Sequence, residues 1–468
     1  MLKNDSLTSG TFPDALKIAK VIPIFKSGNI TNISNYRPIS VLPAISKVYE
    51  KLVYSRLNKY LIDNTILHSN QFGFRPKLST SLAMLQLVDE LSQAIDEGKI
   101  TVGVFVDLAK AFDTVNHKIL LQKLEFYGLR GVVYQWFSSY LSNRKQFVSI
   151  NKLTSKYSEV ACGVPQGSIL GPILFLIYIN DLNSVSDILH NIMFADDTNF
   201  FLAGKNLNDL EKQINAELIL LVEWFQSTLL SLNITKTNYM IFTKKQNLQA
   251  NIIINGTNLI RCNETKFLGV IISSNLKWNK HIDVIRNKIS KNVGIIAKVR
   301  YLLPQSHTRL LYLTLVEPYL TYCNLIWGNC NKSENLEKLF KIQKKYCRIM
   351  LFAGFQTHSK PLFRQLFILS IYNINKLQLG VFMFQGVNKL LPPQIQRLFP
   401  FIRNDTVHVH FTRQHSQLHL NYCRTQCRWN TVFIQGPKLW NHLPLDIKNS
   451  RSLNQFKKSY KYHLISYN

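Results

Sequence analysis

An apolar run, Ile192-Met193-Phe194-Ala195, meets two adjacent carboxylates, Asp196 and Asp197, and a second strand-like run follows from Thr198 to Leu202. Two such runs joined by so short a polar break fold as a tight hairpin, with the acids at its bend. A third carboxylate closes another β-branched, apolar run, Thr101 to Val106, in Phe105-Val106-Asp107. If these strands are neighbours, all three acids reach one edge of one sheet. The chain holds 56 Lys+Arg against 27 Asp+Glu, so acids gathered at one edge need a reason. The chemistry that fits is a carboxylate platform for hard divalent cations, the working part of nucleotidyl transfer. The alternative is that Asp107 and Asp197 are turn or capping residues. Either segment alone leaves the two readings level; the other motifs decide between them.

Around this hairpin the pattern alternates. Helical periodicity runs from Ile45 to Leu61, Ser79 to Ile95, Ile119 to Tyr127 (stopped by Gly128), Gly167-Ser168 to about Asp181, and Leu210 to Phe225. Strands are predicted at 159–164 and 267–272, and a hairpin at 252–254 and 257–260 around Asn255-Gly256. Residues 13–60 carry Pro13, Pro23, Pro38 and Pro43 and read as turn-rich before and around the first helix. Helices and hairpins alternating over 101–272 predict an α+β fold, an antiparallel sheet backed by helices. Beyond residue 276 the strand signals fade. Residues 276–348 hold 14 Lys+Arg against 4 Asp+Glu with helical periodicity, which predicts a separate basic helical domain. Residues 401–468 carry 10 Lys+Arg against 2 Asp and half of the 12 His.

The formal net charge of +29 predicts a polyanionic partner, nucleic acid before membrane. The longest apolar run, Ile169 to Ile179, contains Gly171 and Pro172 and is about half a bilayer span. Met1 to Ser6 lacks the apolar stretch of a secretory signal. Seven scattered cysteines predict reduced thiols in an intracellular protein.

The chemistry-bearing residues follow from these placements. Asp107 and Asp196 would bridge two Mg²⁺ ions about 3.5–4 Å apart, one activating a primer 3′-hydroxyl, the other holding a triphosphate and its leaving pyrophosphate. Gly163-Val164-Pro165-Gln166-Gly167-Ser168 forces a sharp turn where backbone can approach a nucleotide, with Gln166 able to touch it or the template; a plain strand-to-helix connector is the alternative. Phe112 follows Asp107 by five residues, where its ring would exclude a ribose 2′-hydroxyl; core packing is the alternative. Asp113 and His117 are expected to pair or cap a helix. Lys236, in Leu232-Asn233-Ile234-Thr235-Lys236-Thr237, suits a general acid for pyrophosphate, against a solvated loop lysine. Arg75, in Gln71-Phe72-Gly73-Phe74-Arg75-Pro76, suits a bidentate grip on triphosphate, against a surface arginine.

These segments, in their order, resemble the reverse transcriptase of non-LTR (LINE-type, Jockey-like) retrotransposons. Asn35-Tyr36-Arg37-Pro38-Ile39-Ser40 and Gly73-Phe74-Arg75 resemble its fingers motifs, Phe105 through His117 its first palm motif, and Gly163 through Leu170 its second. Phe194-Ala195-Asp196-Asp197 resembles the third, Asn233 to Lys236 the fourth, and Phe267-Leu268-Gly269 the primer grip. Tyr319-Leu320-Thr321-Tyr322 with Trp327-Gly328, and Leu439 through Pro444, resemble the family's thumb and tail. One such motif is weak; seven in order are specific.

The resemblance implies a right-hand polymerase: fingers and palm over 12–275, a basic helical thumb over 276–350 and a basic C-terminal extension over 351–468. It implies that Asp107, Asp196 and Asp197 form an acidic triad for two Mg²⁺ ions, with Mn²⁺ as a substitute, Asp197 supporting rather than bridging. It supports the roles given to Arg75, Phe112, Gln166 and Lys236. The implied partners are template RNA, a DNA primer and deoxynucleoside triphosphates, with no membrane, in a ribonucleoprotein of nucleus and cytoplasm. Family members usually carry an endonuclease before the polymerase; here the resemblance begins by about Phe12, so a truncated or incompletely predicted element is expected. Residues 349–468 hold only Asp405 and Asp446 as acids, too few for an RNase H or other two-metal nuclease. His415, His419, Cys423 and Cys427 recur at intervals of four, but without a CxxC turn and in chain that reads as extended from Tyr422 to Ile434, so zinc is not expected. The competing reading is a catalytically silent RNA-binding remnant.

Overall fold

The computed structural model describes residues 2–245, 247–330, 334–398 and 417–466. Its strands, in chain order, are β1 (Ile18–Phe25), β2 (Tyr36–Val41), β3 (Ile100–Val106), β4 (Lys145–Ile150), β5 (Leu153–Thr154), β6 (Ser158–Glu159), β7 (His190–Phe194) and β8 (Asp197–Gly204). They continue with β9 (Asn238–Phe242), β10 (Ile253–Ile254), β11 (Thr257–Asn258), β12 (Ile260–Arg261), β13 (Glu264–Phe267) and β14 (Val270–Ser273).

The central sheet has the order β12-β9-β3-β8-β7, antiparallel except where β12 joins β9 in parallel. Its middle strand, β3, is buried at every position. The physical reason is that both faces are covered. Ile100, Val102, Val104 and Val106 enter one core, with Leu57, Leu120, Leu174 and Leu218 from the helices Ala44–Asp63, His117–Phe126, Leu170–Ile179 and Leu207–Ser227. Phe105, on the other face, joins Met84, Leu87 and Leu91 of the helix Thr80–Asp96. A strand covered on both faces reads as one continuous apolar run. Local signals set the helix starts: Ser79 accepts from the Leu82 N–H, Asn116 from the Ile119 N–H and Asn206 from the Asn208 N–H.

A second sheet lies on residues that were expected to be turn-rich. There β1 pairs antiparallel with β2 and parallel with β4, which also carries β5 and β6. Pro23 stands directly opposite Pro38. Facing residues of an antiparallel ladder either exchange both bonds or none, so two prolines in register disturb one pair rather than two.

The described residues beyond β14 are mostly helical. Helices Asn279–Val299, Gln305–Leu315, Glu317–Thr321, Asn324–Trp327 and Glu334–Met350 share one apolar core with Ser359–Gln365, Ile371–Val387 and the helices after residue 425. Trp327, Tyr346, Met383, Trp440 and Phe456 belong to it, and it runs on into Met84 and Leu91. The core therefore crosses both expected boundaries, at 275 and at 350. A polar latch repeats the connection. Asp96 accepts from the Arg424 N–H (2.9 Å), the Thr425 N–H (2.7 Å) and the Thr425 hydroxyl (2.6 Å), and Arg428 pairs with Asp89. Among the described residues no helix is long and apolar enough to cross a membrane.

Four local expectations need correction. Only Ser158–Glu159 of the run 159–164 and its flank is strand; Gly163 takes a positive φ of 86° and the chain leaves the sheet for a turn. The run 267–272 is a hairpin, β13–β14, because Leu268 and Gly269 both take positive φ (45° and 82°). The strand predicted at 257–260 divides: β11 pairs with β10, whereas β12 joins the central sheet. Residues 422–434, read as extended, contain the turn of helix Gln426–Trp429 and the start of Val432–Asn441, begun by the Thr425 side chain accepting from the Arg428 N–H.

Candidate active site

The register of the central sheet brings the acids together. Val106 faces Thr198 across β3 and β8, so Asp107, the next residue, lies beside Asp197. Phe194 pairs with Asp197 across β7 and β8, leaving Ala195 and Asp196 as a two-residue turn. Ala195 has a φ of +59°, a conformation that costs a residue with a Cβ about 1 kcal/mol or more.

The bend is held from the segment Gln71–Gly73. The Gln71 Oε1 accepts from the Ala195 N–H (2.9 Å) and the Gly73 N–H (2.8 Å), and the Phe72 N–H donates to the Met193 carbonyl (2.8 Å). Gly73 is obligatory in this contact, because a Cβ on it would stand 2.3 Å from the Ala195 nitrogen. Sequence reading quoted these residues only as a motif around Arg75. Gln71, buried to 1% exposure, holds the bend and was not among the predicted site residues.

Two of the acids, Asp196 and Asp197, have raised pKa values. Burial raises the Asp196 pKa, Asp107 raises it further, and Lys26 and Arg37 oppose the rise. Asp197 is pushed up to about 6 by desolvation, then by repulsion from Asp196 and Asp107, with Lys26 opposing. Its side chain is exposed, so the repulsion is the firmer part of this rise. Lys26 and Arg37 were not among the predicted site residues, although Arg37 lies inside a quoted fingers motif. Asp107 is fixed by its backbone: its N–H donates to the Thr237 hydroxyl (3.3 Å) and its carbonyl accepts from the Asn233 N–H (2.8 Å). The same turn sets the Lys236 Nζ 3.9 Å from the Asp107 Oδ2, with both side chains well exposed.

The donor set suits a hard cation in kind. All three groups are carboxylates, and their mutual repulsion is what a bound cation would relieve. Among the described residues, however, no three His, Cys, Asp or Glu side chains converge closely enough to hold an ion by themselves.

Phe112 stacks on Phe175 at 4.5 Å between centroids and meets Phe74, the neighbour of Gly73, edge-on at 6.2 Å. Asp113 and His117 neither pair with each other nor cap the helix, a role taken by Asn116. Asp113, its pKa raised by burial, accepts from the Gln166 Nε2 (2.9 Å), and the His117 Nε2 bonds the Gly163 carbonyl (2.8 Å). The Gln166 carbonyl accepts from the Ser40 N–H (2.8 Å), joining this turn to β2. Arg75 donates from Nη1 to the carbonyls of His68 (2.6 Å) and Gln71 (3.1 Å). Of the tail set, His415 lies outside the described residues; the Cys427 Sγ is 3.2 Å from the Thr425 hydroxyl.

Three acids thus meet at one sheet edge, with Lys26 and Arg37 near enough to attract Asp196. The chain belongs to the reverse transcriptase (RNA-dependent DNA polymerase) family, which matches residues 24–272. Among curated proteins it is 29% identical to the probable RNA-directed DNA polymerase from transposon X-element of Drosophila melanogaster, over 78% of this chain and 41% of that protein. It is 28% identical to the probable RNA-directed DNA polymerase from transposon BS of the same species, over 78% of this chain and 42% of that protein. A third relative, the RNA-directed DNA polymerase from mobile element jockey of Drosophila melanogaster, is 28% identical over 78% of this chain and 41% of its own length. The chain thus spans about two fifths of the length of these relatives. Among solved structures, apo telomerase from Candida tropicalis aligns with 77% of this chain and 63% of its own, at 11% identity and a TM-score of 0.42.

Proposed function

We propose that this chain is the RNA-directed DNA polymerase of a non-LTR retrotransposon, adding deoxynucleotides to a primer 3′-hydroxyl on an RNA template. The observation that carries the proposal is the meeting of Asp107 with the Asp196–Asp197 bend at one sheet edge, from segments far apart in the chain. In this reading Asp107, Asp196 and Asp197 hold two divalent cations, Mg²⁺ or Mn²⁺ in its place. Such ions, when bound, make the primer hydroxyl more acidic and neutralise the triphosphate.

The chain's own groups do the rest. Lys26 and Arg37, already attracting Asp196, draw the triphosphate toward the acids. Arg75 has Nη1 committed to two carbonyls and would meet phosphate with its Nε–Nη2 edge. Phe112, stiffened by its stack on Phe175, would exclude a 2′-hydroxyl. Gln166, oriented by Asp113, would present its turn to the nucleotide or template. Lys236 would give its proton to the departing pyrophosphate. The Lys and Arg of residues 276–348 would contact template–primer phosphates without reading sequence.

The experiment is primer extension on poly(rA)/oligo(dT) with Mg²⁺. The natural chain should incorporate dTTP and Asp196→Asn should not. Equal background from both would refute polymerase activity and leave the catalytically silent RNA-binding remnant.

A further inference from the structure

We propose that the loops ending the two long basic helices form a stacking platform for an unpaired nucleic-acid strand, built on other elements than the acid-bearing sheet edge. Helices Asn279–Val299 and Glu334–Met350 finish together: Arg300, just past the first, donates from Nη1 to the Ile349 carbonyl near the end of the second (3.3 Å). The residues beyond those ends turn large side chains outward. Tyr301 is 70% exposed, Phe352 58% and Phe355 90%. A single exposed ring is ordinary. Here the rings alternate with guanidinium groups. Arg300 lies 4.6 Å from the Tyr301 centroid and 5.0 Å from that of Phe352, and the two rings are 5.3 Å apart. Arg348 lies 5.7 Å from the Phe355 ring and donates to the Thr357 carbonyl from Nε (3.1 Å) and Nη2 (3.0 Å). Next along the chain, His358, Lys360 and Arg364 line an open hollow of about 620 Å³.

The charge decides the partner. Residues 349–398 contain no Asp or Glu, and the ionisable groups that touch the rings or line the hollow are Arg300, Arg348, His358, Lys360 and Arg364. Two helix C-terminal ends, each a partial negative charge, help to hold Arg300 and Arg348 in place. Exposed π-faces beside fixed cations suit bases that are not already stacked on a partner, with the phosphates running over His358, Lys360 and Arg364. A duplex keeps its bases stacked inside and offers only phosphates, so it would use the cations but not the rings.

The test measures binding of the full chain by fluorescence anisotropy, with an unstructured 12-nucleotide RNA, the same sequence as DNA, and a hairpin duplex RNA. The variants are the double substitution Tyr301→Ala with Phe355→Ala, and the ring-retaining pair Tyr301→Phe with Phe355→Trp. Base–aromatic stacking is worth about 1–3 kcal/mol per base, or roughly 5- to 150-fold. The alanine pair should weaken single-strand binding about tenfold or more, leave duplex binding within twofold, and leave the melting temperature unchanged. The ring-retaining pair should bind like the natural chain. Weakening of RNA and DNA alike supports a platform that takes either strand; weakening of one alone supports it and names the sugar it prefers. Equal losses on single strand and duplex overturn the proposal, as does no loss, or a loss of self-association without a loss of RNA binding. Because the readout is binding, a chain inactive in primer extension can still pass or fail this test.

Discussion

Gln71→Ala tests whether the acidic bend is held from outside its own hairpin. The natural side chain is 1% exposed and accepts from two backbone donors, the Gly73 N–H at 2.8 Å and the Ala195 N–H at 2.9 Å. Truncation strands both donors in a buried place. Each stranded group costs about 1–3 kcal/mol, so the variant should lose about 2–6 kcal/mol of stability. Ala195 also stops being held at its φ of +59°, and a relaxed turn swings Asp196 away from Asp107. A displacement of about 1 Å at a reacting centre can cost on the order of 100-fold in rate. Primer extension under saturating dTTP should fall about that far, with the KM for dTTP changed much less, and urea unfolding should show the lost stability. Gln71→Met separates the causes: it fills the space but cannot replace the oxygen, so it should be nearly as slow as Gln71→Ala. If Gln71→Met turns over within twofold of the natural chain, the hydrogen-bond reasoning is wrong.

Three further perturbations have defined signs. Asp197, raised to about 6, binds its proton more tightly in the folded than in the unfolded chain, so folding loses stability as pH rises from about 4 through 6. Asp197→Asn should therefore melt higher than the natural chain at pH 7 without divalent metal, with the gap closing near pH 4; a lower melting temperature at pH 7 would refute this. Asp89 is 6% exposed and its pKa is raised to about 6 by burial, against the pull of Arg428. Arg428→Met leaves that carboxylate buried without its partner, which should cost about 3–5 kcal/mol in urea unfolding. The ionised form is the one the fold tolerates least, so the loss should be larger at pH 7.5 than at pH 5, and equal losses would contradict it. Phe112→Ala should raise incorporation of UTP relative to dTTP; unchanged discrimination would remove Phe112 from sugar selection, whatever its stack on Phe175 does for folding.

Much of the site was legible because its signals are local. A hairpin around Asp196 is announced by apolar runs on both sides, and a buried strand before Asp107 by its β-branched composition. The contacts that hold the site are not local. Gln71 looks like any polar residue before Phe72, and its partner Ala195 is far along the chain. Asp113 and His117, four residues apart, suggested a mutual contact, but Gln166 and Gly163 are the groups that the fold delivers to them. Residues 13–60 are only partly turn: Pro23 and Pro38 lie in paired strands, where they share one rung of a ladder that neither proline announces by itself.

What the amino-acid order determined alone is the inventory: three acids at strand ends, an excess of cations, and helices and strands whose periods follow from side-chain hydrophobicity. Tertiary structure alone decided the neighbours. It chose β8 to lie beside β3, clamped the bend with Gln71, and ran one apolar core through the thumb-like helices and the tail into the helix Thr80–Asp96. The reason is that pattern reports which face of an element is buried, while the partner for that face is chosen by packing and hydrogen bonding among segments that periodicity cannot connect.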